Sequence, residues 1–335
     1  MAWKKTLSLL EAAQLIERFL DKRPSYPQEW NDFVETSQRD KKVDYFRKRC
    51  YELDPLVNSH HPQDQGALTE LRSMLVEMRQ QSSEKQMLER TIKIEIKRQN
   101  GPDAQPHWDK FELAYRPGMN VISAMMEIAA NPVTSDGKPT TPIAYDSNCL
   151  EEICGSCAML INGKAKMACS ALVDKLEQPI KLEPLSKFPV VRDLAVDRSV
   201  LFENLKRVKA WVPVDGTYDL GPGPRILPQL QEESYPLSNC ISCTICMEVC
   251  PQFNEATGFV GAATIAQVKL FNENPTGKVL KEERLRALMG DGGIADCAYA
   301  QNCVQACPKQ LPLTRAISDV NRDVIVQSIK DIFTH

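Results

Sequence analysis

Cys240-Ile241-Ser242-Cys243-Thr244-Ile245-Cys246-Met247-Glu248-Val249-Cys250-Pro251 sets four thiols in the order C-x2-C-x2-C-x3-C-P. In this spacing three thiolates hold one iron–sulfur cubane and the fourth reaches across to a second cluster. A second run follows at Cys297-Ala298-Tyr299-Ala300-Gln301-Asn302-Cys303, with Cys307-Pro308 after it. It repeats the first with Ala300 where the second cysteine would stand. The crossing rule then predicts a [4Fe–4S] cluster on Cys240, Cys243, Cys246 and Cys307. It leaves Cys250, Cys297 and Cys303 for the other cluster. One missing thiolate favours loss of one iron, so that cluster is expected to be [3Fe–4S]. The prolines after Cys250 and Cys307 end each ligand loop, because proline fixes φ and offers no N–H. Zinc is the alternative for CxxC pairs, but zinc sites rarely repeat this whole pattern twice.

Upstream, Cys149-x4-Cys154-x2-Cys157 is followed, after eleven intervening residues, by Cys169. This is the plant-type spacing for a [2Fe–2S] cluster. Gly155 and Ser156 between two of the thiols make a permissive loop whose N–H groups can point at sulfur. Asn162-Gly163 reads as a two-residue hairpin turn that returns the chain so that Cys169 reaches the same site. Structural thiols are the bland alternative for these four positions.

Eleven of the twelve cysteines are thereby used. Cys50 lies outside every motif and is expected to be a buried or idle thiol in a helix. Disulfides fit poorly in a long chain without a secretory signal and with metal-like spacings, so a reducing compartment is expected. The 335 residues should form two or more domains. A net charge of -3 gives no footprint for nucleic acid. No apolar stretch approaches a bilayer span, so membrane attachment is expected through a partner. Met1-Ala2-Trp3-Lys4-Lys5 opens an apolar run that Glu11 cuts short, which fits neither a signal nor a transit peptide.

An α+β chain of three parts is expected. Residues 1–89 read as a helical extension, with one amphipathic helix on Leu7, Leu10, Ala13, Ile16 and Leu20 and another on Leu68, Leu71, Leu75 and Met78. The charged stretch between them, Arg39-Asp40-Lys41-Lys42 to Arg47-Lys48-Arg49, reads as a solvated face. A docking arm for a partner subunit or for anionic lipid headgroups is the sharper alternative. His60-His61 reads as loop, since adjacent histidines point apart. Residues 90–200 read as a β-grasp domain. Ile92, Ile94 and Ile96 alternate with charges as a half-buried strand, and Phe111, Leu113 and Tyr115 suggest its antiparallel partner. Val121, Met125 and Ile128 follow helical spacing until Asn131-Pro132. Ile180 to Leu185 supplies a late strand. Residues 201–335 read as helices around two clusters. These are Leu201 to Trp211, then after a Gly/Pro-rich loop at 221–228 the stretches 262–273 and 281–289, the latter capped at Gly290. A last helix runs from about Thr314 with Ile317, Val320, Val324 and Ile332 on its inner side.

From about residue 90 onward the chain resembles the iron–sulfur subunit of succinate dehydrogenase and fumarate reductase. The resemblance is carried by the three cysteine sets in order. Cys154-Gly155-Ser156-Cys157-Ala158-Met159, Arg192-Asp193-Leu194 with Val196-Asp197-Arg198, Gln301-Asn302-Cys303 and Thr314-Arg315-Ala316-Ile317 add to it. It implies a flavoprotein partner with FAD that interconverts succinate and fumarate, and a membrane anchor that binds quinone. Electrons would run through [2Fe–2S], [4Fe–4S] and [3Fe–4S] in that order, with no dicarboxylate chemistry on this chain. The chain would sit peripherally on the cytoplasmic face of a bacterial cytoplasmic membrane. Ubiquinone-linked relatives carry Trp after the first Cys-Pro and His after the cysteine matching Cys297. Here Pro251-Gln252-Phe253-Asn254 and Ala298 stand instead. Gly258-Phe259-Val260-Gly261 and Asp291-Gly292-Gly293-Ile294 look more like menaquinone-linked members with a haem-b-bearing anchor. Two alternatives remain open: an electron-transfer subunit for another dehydrogenase, which would usually have two complete cubane runs, and a non-catalytic metal scaffold.

Overall fold

The structure is a computed structural model that describes residues 7–22, 26–57, 64–88, 90–213, 225–254 and 256–334. Two compact units divide it: Met1–Arg90 with Ala114–Pro117, and Thr91–Leu113 with Gly118–His335.

The first unit carries helices α1 (Leu9–Leu20), α2 (Tyr26–Glu35), α3 (Lys41–Val57) and α4 (Gln65–Leu88). Ser8 and Glu11 start α1 with a reciprocal capping box. Ala12, Ile16, Phe19, Trp30, Phe33, Val43, Phe46, Leu53, Leu71 and Met78 form its core. Phe19 stacks on Trp30 with ring centroids 3.8 Å apart. Amphipathic spacing marks α1 and α4 in the sequence, and Cys50 was expected in a helix, which is α3. There the basic run masks a regular stripe, Val43, Phe46, Cys50, Leu53 and Val57, all buried. Its charges are not merely solvated: Arg47 donates to the Val34 carbonyl and to Asp44, and Arg49 pairs with Glu52 and Glu70. Cys50 is fully buried within the helix. His60-His61 lies outside the described residues.

The second unit opens with a five-stranded sheet of order β2-β1-β5-β3-β4. Its strands are β1 (Thr91–Arg98), β2 (His107–Ala114), β3 (Ala158–Ile161), β4 (Lys164–Met167) and β5 (Ile180–Glu183). β1 lies parallel to β5, with Ile94 opposite Ile180 and Ile96 opposite Leu182. A parallel pair needs a long crossover. That crossover contains α5 (Val121–Ala130) and all four cysteines of the upstream set. β1 shows the expected alternation, with Ile92, Ile94 and Ile96 buried. Asn162 (φ 50°) and Gly163 (φ 72°) make the expected tight turn between antiparallel β3 and β4. A small hairpin of β6 (Val190–Arg192) and β7 (Ala195–Val196) was not anticipated.

Helices follow: α6 (Ser199–Arg207), α7 (Pro228–Ser238), α8 (Ile245–Glu248), α9 (Ala262–Glu273), α10 (Lys281–Ala287), α11 (Asn302–Ala306) and α12 (Leu313–Thr334). α9 is buried on nearly every side and packs against α6, α7, α8, α10 and α12. Three readings need correction. α6 stops at Arg207 rather than Trp211, since Lys209 takes a left-handed φ of 49°. α7 begins at Pro228, within the expected loop; Pro at the first helical position costs no hydrogen bond. Ile332 is exposed, unlike Ile317, Val320 and Val324. At about 100° per residue it stands roughly a quarter-turn from Val324, and Gln327 takes the inner place.

Candidate functional site

The β3–β4 hairpin brings Cys157 and Cys169 side by side, just outside its paired residues. The Ala168 N–H donates to the Cys157 carbonyl at 3.1 Å. Asn120, the cap of α5, donates its side-chain amide to the Cys169 carbonyl at 2.9 Å. The preceding loop winds around the Cys149 sulfur. Leu150, Glu152 and Gly155 take left-handed conformations. The N–H groups of Glu151, Ile153 and Cys154 lie 3.4, 3.3 and 3.3 Å from Cys149 Sγ. The Ser156 N–H lies 3.5 Å from Cys154 Sγ. Such a nest of backbone donors favours negative sulfur. Hydrogen bonding from the Cys149 backbone, then from Ser156, brings the Cys154 thiol down to about 6. Burial, with Cys157 and Cys149 close by, pushes Cys169 up to about 11. The backbone nest favours the thiolate at Cys154, whereas burial disfavours it at Cys169.

The two downstream runs fold alike. In the first, Ser242 (φ 52°) and Thr244 (φ 64°) are left-handed, and α8 starts after Thr244. In the second, Tyr299 (φ 51°) and Gln301 (φ 61°) are left-handed, and α11 starts after Gln301. The Ser242 N–H faces the Cys240 sulfur, and the Tyr299 N–H faces that of Cys297. Ala300 therefore occupies the backbone place of Cys243 in a loop of the same shape. Only the thiol is missing.

Two cavities gather the seven thiols. Cys240, Cys243, Cys246 and Cys307 line one, with Leu311 and Leu313. Cys250, Cys297, Ala300 and Cys303 line the other, with Phe259 and Ile317. They differ in donors, four thiols against three. Burial raises the thiols of Cys240, Cys297 and Cys303, takes Cys243 up to about 11 and moves Cys246 well above its ordinary value. Three or four soft sulfur donors gathered around one cavity suit iron–sulfur clusters. Among the described residues, no three His, Cys, Asp or Glu side chains converge on a point fit for a single metal ion.

Some residues around these sites carry no signal in the sequence for the role they take. Glu248 is buried, and its carboxylate accepts the N–H groups of Ser186 at 3.0 Å and Lys187 at 3.1 Å. Lys187 also donates to the Cys250 carbonyl. These bonds tie the segment after β5 to the first downstream run. Arg198 donates to the carbonyls of Gly155 and Ser156, both at 2.9 Å. A carboxylate inside one motif and a guanidinium more than forty residues from the loop it grips acquire these partners only on folding.

A sheet module bearing one cysteine set, joined to a helical module bearing two, defines an iron–sulfur electron-transfer protein. Residues 93–203 match the family described as a 2Fe-2S iron-sulfur cluster binding domain, and 236–311 match the 4Fe-4S dicluster domain. The succinate dehydrogenase iron-sulfur subunit of Bacillus subtilis (strain 168) is 54% identical over 245 residues, covering 73% of this chain and 97% of that protein. The fumarate reductase iron-sulfur subunit of Wolinella succinogenes is 30% identical over 225 residues, covering 66% of this chain and 91% of that one. A solved chain of the Mycobacterium smegmatis Sdh1 complex in the apo form shares the fold, with a TM-score of 0.57 and 23% identity over 70% of this chain and 95% of that chain. The chain belongs to the family of iron–sulfur subunits of succinate dehydrogenase and fumarate reductase. It transfers electrons through iron–sulfur clusters, [2Fe–2S] and [4Fe–4S] among them. Among the described residues, no helix is long and apolar enough to cross a membrane.

Proposed function

We propose that this chain carries electrons between the FAD of a succinate-oxidising or fumarate-reducing flavoprotein and membrane quinone. Cys149, Cys154, Cys157 and Cys169 hold [2Fe–2S]. Cys240, Cys243, Cys246 and Cys307 hold [4Fe–4S], and Cys250, Cys297 and Cys303 hold [3Fe–4S]. One observation carries the assignment: the seven downstream cysteines sort into two cavities, four and three, with Cys250 and Cys307 crossing between runs. The layout is a helical extension over 1–89, a β-grasp domain over 90–200 and a helical two-cluster domain over 201–335.

When bound, the clusters supply one-electron carriers. The protein positions them, keeps water from the two downstream cavities with Phe259, Ile317, Leu311 and Leu313, and stabilises sulfur charge with backbone N–H groups. Leu150 and Ile153 stand exposed beside Cys149 and Cys154 and suit contact with the flavoprotein. The quinone is menaquinone and the anchor carries haem b, a reading supported by Ala298 and by Gln252-Phe253 where ubiquinone-linked relatives differ. The complex lies on the cytoplasmic face of the membrane.

The test is purification of the complex from membranes through a tag on this chain, followed by assay of succinate-dependent reduction of a menaquinone analogue. Activity with a co-purified flavoprotein and anchor is expected. A cluster-loaded complex without succinate activity would assign the wire to another dehydrogenase. In the same preparation Cys154→Ser should remove the [2Fe–2S] EPR signal and leave the other two.

A further inference from the structure

Arg198 stands between β7 and α6, with its side chain only 16% exposed. Its two terminal nitrogens reach the carbonyls of Gly155 and Ser156, the two residues between Cys154 and Cys157. The same loop meets the first downstream run backbone to backbone. A Cβ added at Gly155 would lie 2.1 Å from the Ile241 carbonyl oxygen and 3.0 Å from the Cys243 nitrogen. Gly155 has φ +76°, so both its conformation and its neighbours exclude a side chain. One guanidinium therefore clamps the place where two ligand loops touch. Its nearest carboxylate, Asp146, is 3.5 Å away and half exposed, so water screens part of that countercharge.

We propose that Arg198 is a positioning residue that fixes the Cys154–Cys157 loop against the Cys240–Cys243 loop and raises the reduction potentials of both clusters together. The proposal rests on the ligand assignment above. Reduction adds one negative charge to a cluster, with no bond made and no proton moved. A permanent cation in a poorly hydrated place stabilises that added charge. Because the cation lies at the junction, it acts on the donor and the acceptor of the same one-electron step. Their absolute potentials shift while the difference between them is largely kept.

Potentiometric EPR titration of the intact complex tests this. Arg198→Gln keeps an amide donor and removes the charge. Both the [2Fe–2S] and [4Fe–4S] potentials should fall, each by about tenfold in the reduction equilibrium, which is about 59 mV for one electron. The [3Fe–4S] potential, iron content and line shapes should stay unchanged, and Arg198→Lys should restore most of the shift. Asp146→Asn removes the countercharge and should move both potentials upward. Unshifted potentials in Arg198→Gln overturn the proposal. If that variant loses its clusters, Asp146→Asn decides: an upward shift of both potentials upholds the role, and no shift overturns it. A wild-type complex without separate [2Fe–2S] and [4Fe–4S] signals would overturn the ligand assignment instead.

Discussion

At Ala300 the second downstream run differs from the first by a single missing thiol. The chain pays the conformational cost of two left-handed residues, Tyr299 and Gln301, to shape a ligand loop around a position that carries only a methyl group. The loop already presents the right backbone, so Ala300→Cys should supply the fourth thiolate with little rearrangement. The oxidised three-iron EPR signal should then give way to a four-iron signal. Persistence at full intensity would show that the missing thiol is not what limits the iron count. Cys50 is the opposite case, a buried thiol outside all three cysteine sets. Burial pushes it up to about 12 from an ordinary 9.0. The folded state therefore keeps a proton that the unfolded state has lost between those values. Its contribution to stability is complete below pH 9 and is lost as pH rises through 12. Cys50→Ala should cost about 1 kcal/mol at neutral pH, a methyl-sized loss of core contact. It should leave all three EPR signals intact and flatten the alkaline decline in helix content seen by circular dichroism. Both residues were legible in the sequence, one by its place in a run and the other by its absence from any.

Between the strands, the β6–β7 hairpin acts as a strap. Asp193 at its turn is fully buried with φ 48° and accepts from Arg98 Nε at 2.9 Å and Nη2 at 3.2 Å. It also accepts the N–H groups of Gln99 at 3.1 Å and Ala144 at 2.9 Å. Burial would raise its carboxyl, but Arg98 and these N–H groups win and hold it below the ordinary carboxylate range. The strap thereby anchors β1 to the segment leading into Cys149. Asp193→Asn leaves the buried Arg98 with less countercharge and should cost about 3 kcal/mol in denaturant titrations. The [2Fe–2S] signal should be the first lost on warming. A stability change below 1 kcal/mol, with that signal as robust as in wild type, would show the strap to be dispensable. Strong local patterns made β1, the Asn162-Gly163 hairpin and α9 readable. The hairpin β6–β7 was not, because strands of three and two residues are too short to show an alternation and depend on Asp193 finding Arg98, ninety-five residues away.

For the molecule as a whole, every cysteine assigned to a cluster lies in the second compact unit, and the helical unit has an apolar core of its own. Deleting residues 1–85 should therefore leave iron, acid-labile sulfide and the three EPR signals of the complex unchanged. The informative readout is membrane retention. Loss of the flavoprotein or of membrane binding would make the extension a docking arm, and unchanged retention and assembly would sink that idea. Loss of iron would show instead that the two units fold as one.

Spacing along the chain was enough to mark out three cysteine sets, to point to iron–sulfur chemistry and to single out Ala300 where the repeat lacks a thiol, because such loops are local. Three thiols within seven residues can reach one cubane only if the intervening backbone curls around it. The family followed from the order of those loops. What only the tertiary structure decided was the set of polar contacts that join them: Glu248 holding Ser186 and Lys187, and Arg198 gripping the loop beside Gly155. These partners are separated by forty to sixty-odd residues of chain. No local pattern encodes such pairs, since their free energy exists only when the sheet and the helices have already packed.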